Sequence, residues 1–123
     1  MKLATSFREL EAYKMALRQA EIIFVLTRSF PQEEQQALTS QIRASARAVS
    51  TLLAAAWARR TEHAAFVDKM QEAIGEVMAT QAWLDHACVC GYIDVERHRE
   101  LDDAWQRVRS GLQRLLEPVM GLP

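Results

Sequence analysis

The chain has 123 residues, 50% of them hydrophobic and 25% charged, with a net charge of −1. That length suits one domain, and this balance of apolar and charged residues excludes a disordered chain. The near-neutral total also speaks against a dedicated nucleic-acid binder, which is usually basic overall.

Breakers are scarce, with 4 Gly and 3 Pro. Ala, Leu, Glu, Gln and Arg are abundant, so long helices are expected and strands are not. The charged residues Arg8, Glu9 and Glu11 arrive before the apolar stretch of a signal peptide could form. The longest apolar run, Ile22 to Leu26, falls far short of the roughly 20 residues that span a membrane. Cys88 and Cys90 are too close in sequence for a loop-closing disulfide, and on a helix they diverge. These features predict a cytoplasmic protein without a membrane partner or a disulfide framework.

The first helix is expected over residues 7–29. Ser6 and Glu9 have capping-box spacing, and Phe7, Leu10, Tyr13, Leu17, Ala20 and Phe24 follow at steps of three and four. The run Ile22 to Leu26 is apolar all round, which an isolated surface helix would not be. Phe30-Pro31 closes the helix, and Gln32 to Ala37 reads as a short helical turn. The second helix, over 38–60, carries the stripe Leu38, Ile42, Ala46, Val49, Leu53 and Ala56, with Arg59-Arg60 in its last turn. Thr61 is the expected N-cap of a third helix over 62–90. Its stripe is Val67, Met70, Ile74, Val77, Gln81, Leu84 and Cys88, and Gly91 is placed to end it. Asp94 can cap a fourth helix over 95–117, with the stripe Leu101, Ala104, Trp105, Val108, Leu112, Leu115 and Val119. Four such helices joined by short connections predict an all-α, up-down antiparallel four-helix bundle, one domain over residues 1–123.

Several segments, in order and spacing over residues 6–93, resemble the family of small bacterial 23S rRNA intervening-sequence proteins. Ser6-Phe7-Arg8-Glu9-Leu10-Glu11-Ala12-Tyr13 is similar to its opening S-F-[RK]-[DE]-L-x-[VA]-[WY]. Leu26-Thr27 through Phe30-Pro31 to Glu33-Glu34 resembles L-T-x-x-F-P-x-E-E, and Leu38 to Arg43 matches L-T-S-Q-[IL]-R. Ala73-Ile74-Gly75 and Gly91-Tyr92 are similar to its A-L-G and terminal G-Y. The chain departs from the family where S-N-I-A-E-G becomes Ser50 to Ala56, which places Leu52 and Ala55 at polar positions. It departs again at Ala79 and Gln81, where acids are usual. The resemblance implies a closed bundle, often a ring of five, with no enzymatic activity established for the family. It also implies kinship with accessory proteins of diversity-generating retroelements, which bind nucleic acid and a reverse transcriptase.

No catalytic pattern stands out. There is no G-x-S-x-G and no phosphate-cradling glycine loop. His86 and Cys90 share a helical face, and a metal would need two more ligands, for which Asp94 and His98 are the nearest candidates. The expectation is therefore no catalytic residue, no cofactor and no metal. From Leu38 to Thr61 there are four Arg and no acid. Arg43, Arg47, Arg59 and Arg60 are the candidate nucleic-acid contacts for RNA or DNA. The competing role is pairing with acids of the third helix or of a neighbouring subunit. Trp105 lies on a core stripe. Ile22, Phe24, Val25, Leu26, Trp57 and Trp83 are surplus to one core and are the candidate subunit interface. The leading expectation is a non-catalytic homo-oligomeric scaffold or adaptor, pentameric by resemblance, with another protein as a further partner class. The alternative is a nucleic-acid-binding accessory protein.

Overall fold

The computed structural model describes residues 4–120, and the side chains of residues up to 118. Four α-helices form the bundle: α1 (Glu11–Thr27), α2 (Leu38–Ala58), α3 (His63–Val89) and α4 (Val95–Met120). Each packs against its two neighbours, α1 on α2 and α4, α3 on α2 and α4, which is the up-down antiparallel arrangement. No strand occurs among the described residues.

The helix starts differ from the sequence expectation. Ser6 caps a short 3₁₀ turn, Phe7–Glu9, by accepting from the Arg8 amide at 3.2 Å. Glu9 does not close a capping box. Its carboxylate instead accepts from the Thr5 amide and hydroxyl, which holds it below its ordinary range. Leu10 is extended, so α1 begins only at Glu11. It ends at Thr27, before the proline, because Thr27–Phe30 turns tightly: the Phe30 amide bonds the Thr27 carbonyl at 3.1 Å. The expected turn in the next segment is a 3₁₀ turn, Gln32–Glu34. Thr61 is not the N-cap of α3. Glu62 occupies that position without a side-chain bond, and Arg59-Arg60 lie past the last residue of α2. Pro118 does not stop α4, which continues to Met120. Proline has no amide to donate, so the Arg114 carbonyl loses its usual helical partner, and only two helical residues follow.

Two predicted boundaries follow their expected chemistry. Gly91 adopts φ +79, and the Gly91 and Tyr92 amides bond the Cys88 and Ala87 carbonyls at 3.0 and 2.9 Å. This is a Schellman end, which needs a left-handed residue and so favours glycine. Asp94 caps α4 by accepting from the Arg97 amide at 2.7 Å.

The predicted stripes of α2 and most of α4 are buried, including the fully enclosed Trp105. On α4, Leu116 takes the place expected of Leu115; the side chain of Val119 lies outside the described residues. The core face of α1 keeps the predicted Ala20 and adds Ala12, Ala16, Ile23 and Thr27, and that of α3 keeps the predicted Met70, Val77 and Leu84 and adds Phe66, Ala73, Thr80 and Ala87. Leu17, assigned inward by periodicity, is exposed, and Phe24 is half-buried. On α3, Val67, Ile74, Gln81 and Cys88 sit at the margins. Gln81 meets Gln106 of α4 at 3.3 Å.

One polar contact crosses the core. The Ser45 and Thr80 hydroxyls lie 2.8 Å apart between α2 and α3. Each also has a carbonyl of its own helix within reach, Ile42 for Ser45 and Glu76 for Thr80. Ser45 donating to Thr80, and Thr80 to Glu76, satisfies both. Because each partner keeps a fallback acceptor, Ser45→Ala and Thr80→Val should each cost about 1 kcal/mol. The double variant should cost less than their sum, read as a double-mutant cycle in urea unfolding. Strict additivity would mean the two hydroxyls do not interact.

Candidate functional site

The residues predicted as functional separate into distinct surfaces. Along the outer side of α1 runs an apolar strip. Leu17 and Val25 are 52% and 53% exposed. With half-buried Ile22 and Leu26 they line a groove of about 920 Å³, rimmed by Lys14, Arg18, Glu21 and Arg97. A second groove, of about 480 Å³, lies between α3 and α4 and is lined by Ile74, Gly75, Met78 and Leu116 among others. The strips share no residue. Of the other predicted interface residues, Trp57 carries the Arg60 guanidinium 4.4 Å from its ring centroid, and Trp83 packs beside His86.

The four predicted arginines do not form one surface. Arg43 and Arg47 converge on Phe24 of α1, with guanidinium carbons 4.4 and 4.9 Å from its ring centroid. Arg28, which sequence reasoning did not select, joins them at 5.1 Å. The Arg43 Nε donates to the Thr27 hydroxyl at 2.7 Å, and Nη2 donates to the Phe24 carbonyl at 3.4 Å. Thr27 donates in turn to the Ile23 carbonyl at 2.8 Å, which fixes the hydroxyl that receives Arg43. None of these three arginines has a carboxylate partner among the described residues. The expected pairing with acids of the third helix therefore does not occur for Arg43 and Arg47 among the described residues.

Arg59 and Arg60 sit past the C-terminal end of α2, Arg59 about 24 Å along the helix from Arg43 and about 18 Å from Arg47 at the rise of an α-helix. Arg59 pairs with Glu62 at 3.2 Å, and Arg60 donates to the Trp57 carbonyl at 2.9 Å. Missing Arg28 has a physical cause: only the packing of α1 on α2 brings it to Phe24, and its spacing in sequence carries no trace of that.

The histidine and cysteine candidates are not assembled as a metal quartet. His98 turns to Asp85, 2.7 Å away, and Asp94 is spent as a helix cap. Asp85, His98 and Asp102 do come within reach of one another. Such groups of exposed carboxylates are common without an ion. Both cysteines are unbonded, Cys88 half-buried and Cys90 exposed.

Residues 8–114 match the profile of the 23S rRNA-intervening sequence protein family. The chain belongs to this family. A crystal structure from Bacteroides thetaiotaomicron VPI-5482, of a protein with unknown function from the S23 ribosomal protein family, superposes with a TM-score of 0.77 at 20% identity. The match covers 85% of this chain and 94% of that one, and at this identity it speaks for the fold alone. No curated protein matches.

Three of the family-like segments, Leu26 to Glu34, Leu38 to Arg43 and Gly91-Tyr92, meet at one end of the bundle, whereas Ser6 to Tyr13 lies at the start of α1, toward the other end. Tyr92 of the G-Y pair donates to the Glu34 carboxylate at 2.8 Å and packs on Phe30, ring centroids 5.3 Å apart. The Glu34 bond, with burial, pushes the Tyr92 phenol far above its ordinary range. Glu34 also accepts from the Leu38 amide at 3.2 Å, and Thr27 receives Arg43. Thus the F-P-x-E-E segment is clamped between the end of α3 and the start of α2. Among the departures from the family pattern, Ala55 is exposed, while Leu52, Ala79 and Gln81 are half-buried.

No helix among the described residues is long and apolar enough to cross a membrane.

Proposed function

We propose that this protein is a non-catalytic homo-oligomer, with a ring of five favoured, acting as a scaffold or adaptor in the cytoplasm. The observation that carries the reading is the pair of apolar grooves that share no residue, one on α1 and one between α3 and α4. A two-fold dimer joins a patch to itself. Two different patches suit a head-to-tail contact, which closes into a ring when the rotation allows. The α1 groove adds a rim of both charge signs, Lys14, Arg18 and Arg97 against Glu21, as interfaces between subunits commonly do. Large apolar side chains left more than half exposed on a helix whose inner face is mostly alanine argue the same way.

Multi-angle light scattering on the purified protein tests this. A mass several-fold above the 14.0 kDa chain is expected. The double variant Leu17→Glu/Val25→Glu should fall to monomer while keeping its helical circular dichroism, because both side chains are exposed within the single chain. A wild-type mass of one chain would overturn the assembly. An oligomer that survives the double variant would move the contact away from α1.

A further inference from the structure

We propose that the cleft between the end of α1 and the start of α2 binds a phosphate group, held by Arg28 and Arg43, with Arg47 adding its charge from beside the Phe24 ring. The site is complete within one chain and does not depend on the assembly proposed above.

The argument begins with charge. One arginine stacked on an aromatic face needs no ligand, since the ring quadrupole and the guanidinium attract. Three guanidinium carbons within 5.1 Å of a single ring centroid are a different matter. A ring has two faces, and each added cation meets repulsion from those already there. Nothing on the described residues offsets it: no carboxylate pairs with any of the three, and none lines the cleft. The acid of the adjoining turn closest in sequence to α2, Glu34, is already committed to Tyr92 and the Leu38 amide. A bound dianion would supply the missing counter-charge.

Shape and donors agree with charge. The cleft has a volume of about 510 Å³, and Gln32, Gln35 and Thr39 line it beside Arg28 and Arg43. The Arg43 fork is held from behind by Thr27 and the Phe24 carbonyl, so its position is set before any ligand arrives. Arginine held this way is suited to phosphate oxygens. An independent sign comes from Thr39. The residue is 4% exposed, yet its hydroxyl has no hydrogen-bond partner among the described residues. Buried hydroxyls are seldom left in that state. Thr39 lines the cleft, and a rotation of its side chain would bring the hydroxyl to a phosphate oxygen there as acceptor.

The phosphate could come from a small phosphate compound or from the backbone of a nucleic acid, and the chemistry of the cleft is the same for both. Isothermal titration of the intact, assembled protein with inorganic pyrophosphate in a chloride background tests the site. Saturable binding is expected, weakened about tenfold or more in Arg28→Gln/Arg47→Gln. Neither arginine holds the fold through a hydrogen bond, and circular dichroism checks that the variant is folded. Thr39→Val should weaken binding in the same direction. In a second arm, single-stranded DNA is titrated with and without pyrophosphate. Competition, with affinity falling linearly on a log–log salt plot, supports the site and makes its phosphate a nucleic-acid one. Pyrophosphate binding that DNA does not disturb supports the site and assigns it to small phosphates. Absence of binding in both arms, or pyrophosphate binding unchanged in the double arginine variant, would overturn the proposal.

Discussion

Truncating Trp105 to alanine is expected to lower the stability of the bundle by about 3–5 kcal/mol, the usual range for removing a large aromatic side chain from a core. Trp105 is fully enclosed, on the face of α4 that also buries Leu101, Val108 and Leu112. The loss combines the apolar surface returned to water with the cavity left behind, because neighbouring helices collapse only partly into the space. Against a total stability typically of about 5–15 kcal/mol, such a loss would bring the chain close to unfolding. Trp105→Phe separates packing from polarity. The indole Nε1 is buried without a hydrogen-bond partner among the described residues. Phenylalanine keeps most of the ring contact and removes that unpaired donor, so its cost should be well under half that of alanine. Urea unfolding at one fixed protein concentration reads both, since assembly makes apparent stability concentration-dependent. A Trp105→Ala midpoint indistinguishable from wild type would mean the residue does not anchor the core.

The contrast between the helices explains how much of this architecture could be read from sequence. On α2 and most of α4 the residues of the predicted stripe are the buried ones, so periodicity and burial largely coincide, even though Val95 at the start of α4 is exposed. On α1 they do not. There the buried positions are mostly alanine, and the large residues Leu17 and Val25 face outward. Alanine is compatible with either face, so a stripe drawn through the bulkiest side chains runs along the wrong side of the helix. On α3 the same ambiguity arises at Ala73, Thr80 and Ala87, and the marginal Val67, Ile74 and Cys88 drew the stripe sideways by one residue. The misplaced stripe of α1 is therefore informative. A helix that buries alanine and exposes leucine and valine is the one whose outer face needs a partner.

The candidate site was partly legible for a related reason. Arg43 and Arg47 share a face because they are four apart, which sequence spacing reveals. That Phe24 lies beneath them, that Arg28 approaches from the other side, and that Thr39 lacks a partner all depend on how α1 docks on α2. Arg59 and Arg60 looked equivalent to the first pair when counted as charge. Along α2 the first pair lies in the N-terminal half and the second past the C-terminal end, and Glu62 neutralises one of the second pair.

Substituting Gly111 should show how closely α1 must approach α4. A Cβ built at Gly111 would stand 3.3 Å from the Ala12 Cβ, tighter than ordinary contact. Here two small residues meet so that two backbones can come together. Gly111→Ala sets two effects against each other. The helix gains about 1 kcal/mol of propensity, while α1 must move by a few tenths of an ångström. The expected net change is small. Gly111→Leu has no such balance, because the longer side chain has to displace α1 as a whole. Overpacking of this kind typically costs about 1–3 kcal/mol, and more when backbones separate. The consequence should also reach the surface. The α1 groove includes Arg97 of α4 beside Leu17, Ile22 and Val25, so its shape depends on the α1–α4 spacing. Gly111→Leu is therefore expected to lower the unfolding midpoint and to reduce the mass seen by light scattering, although residue 111 is buried within the single chain. Loss of stability with assembly intact would mean that the groove does not take part in the contact. Wild-type behaviour in both measurements would mean that the close approach of α1 to α4 is not needed by the fold.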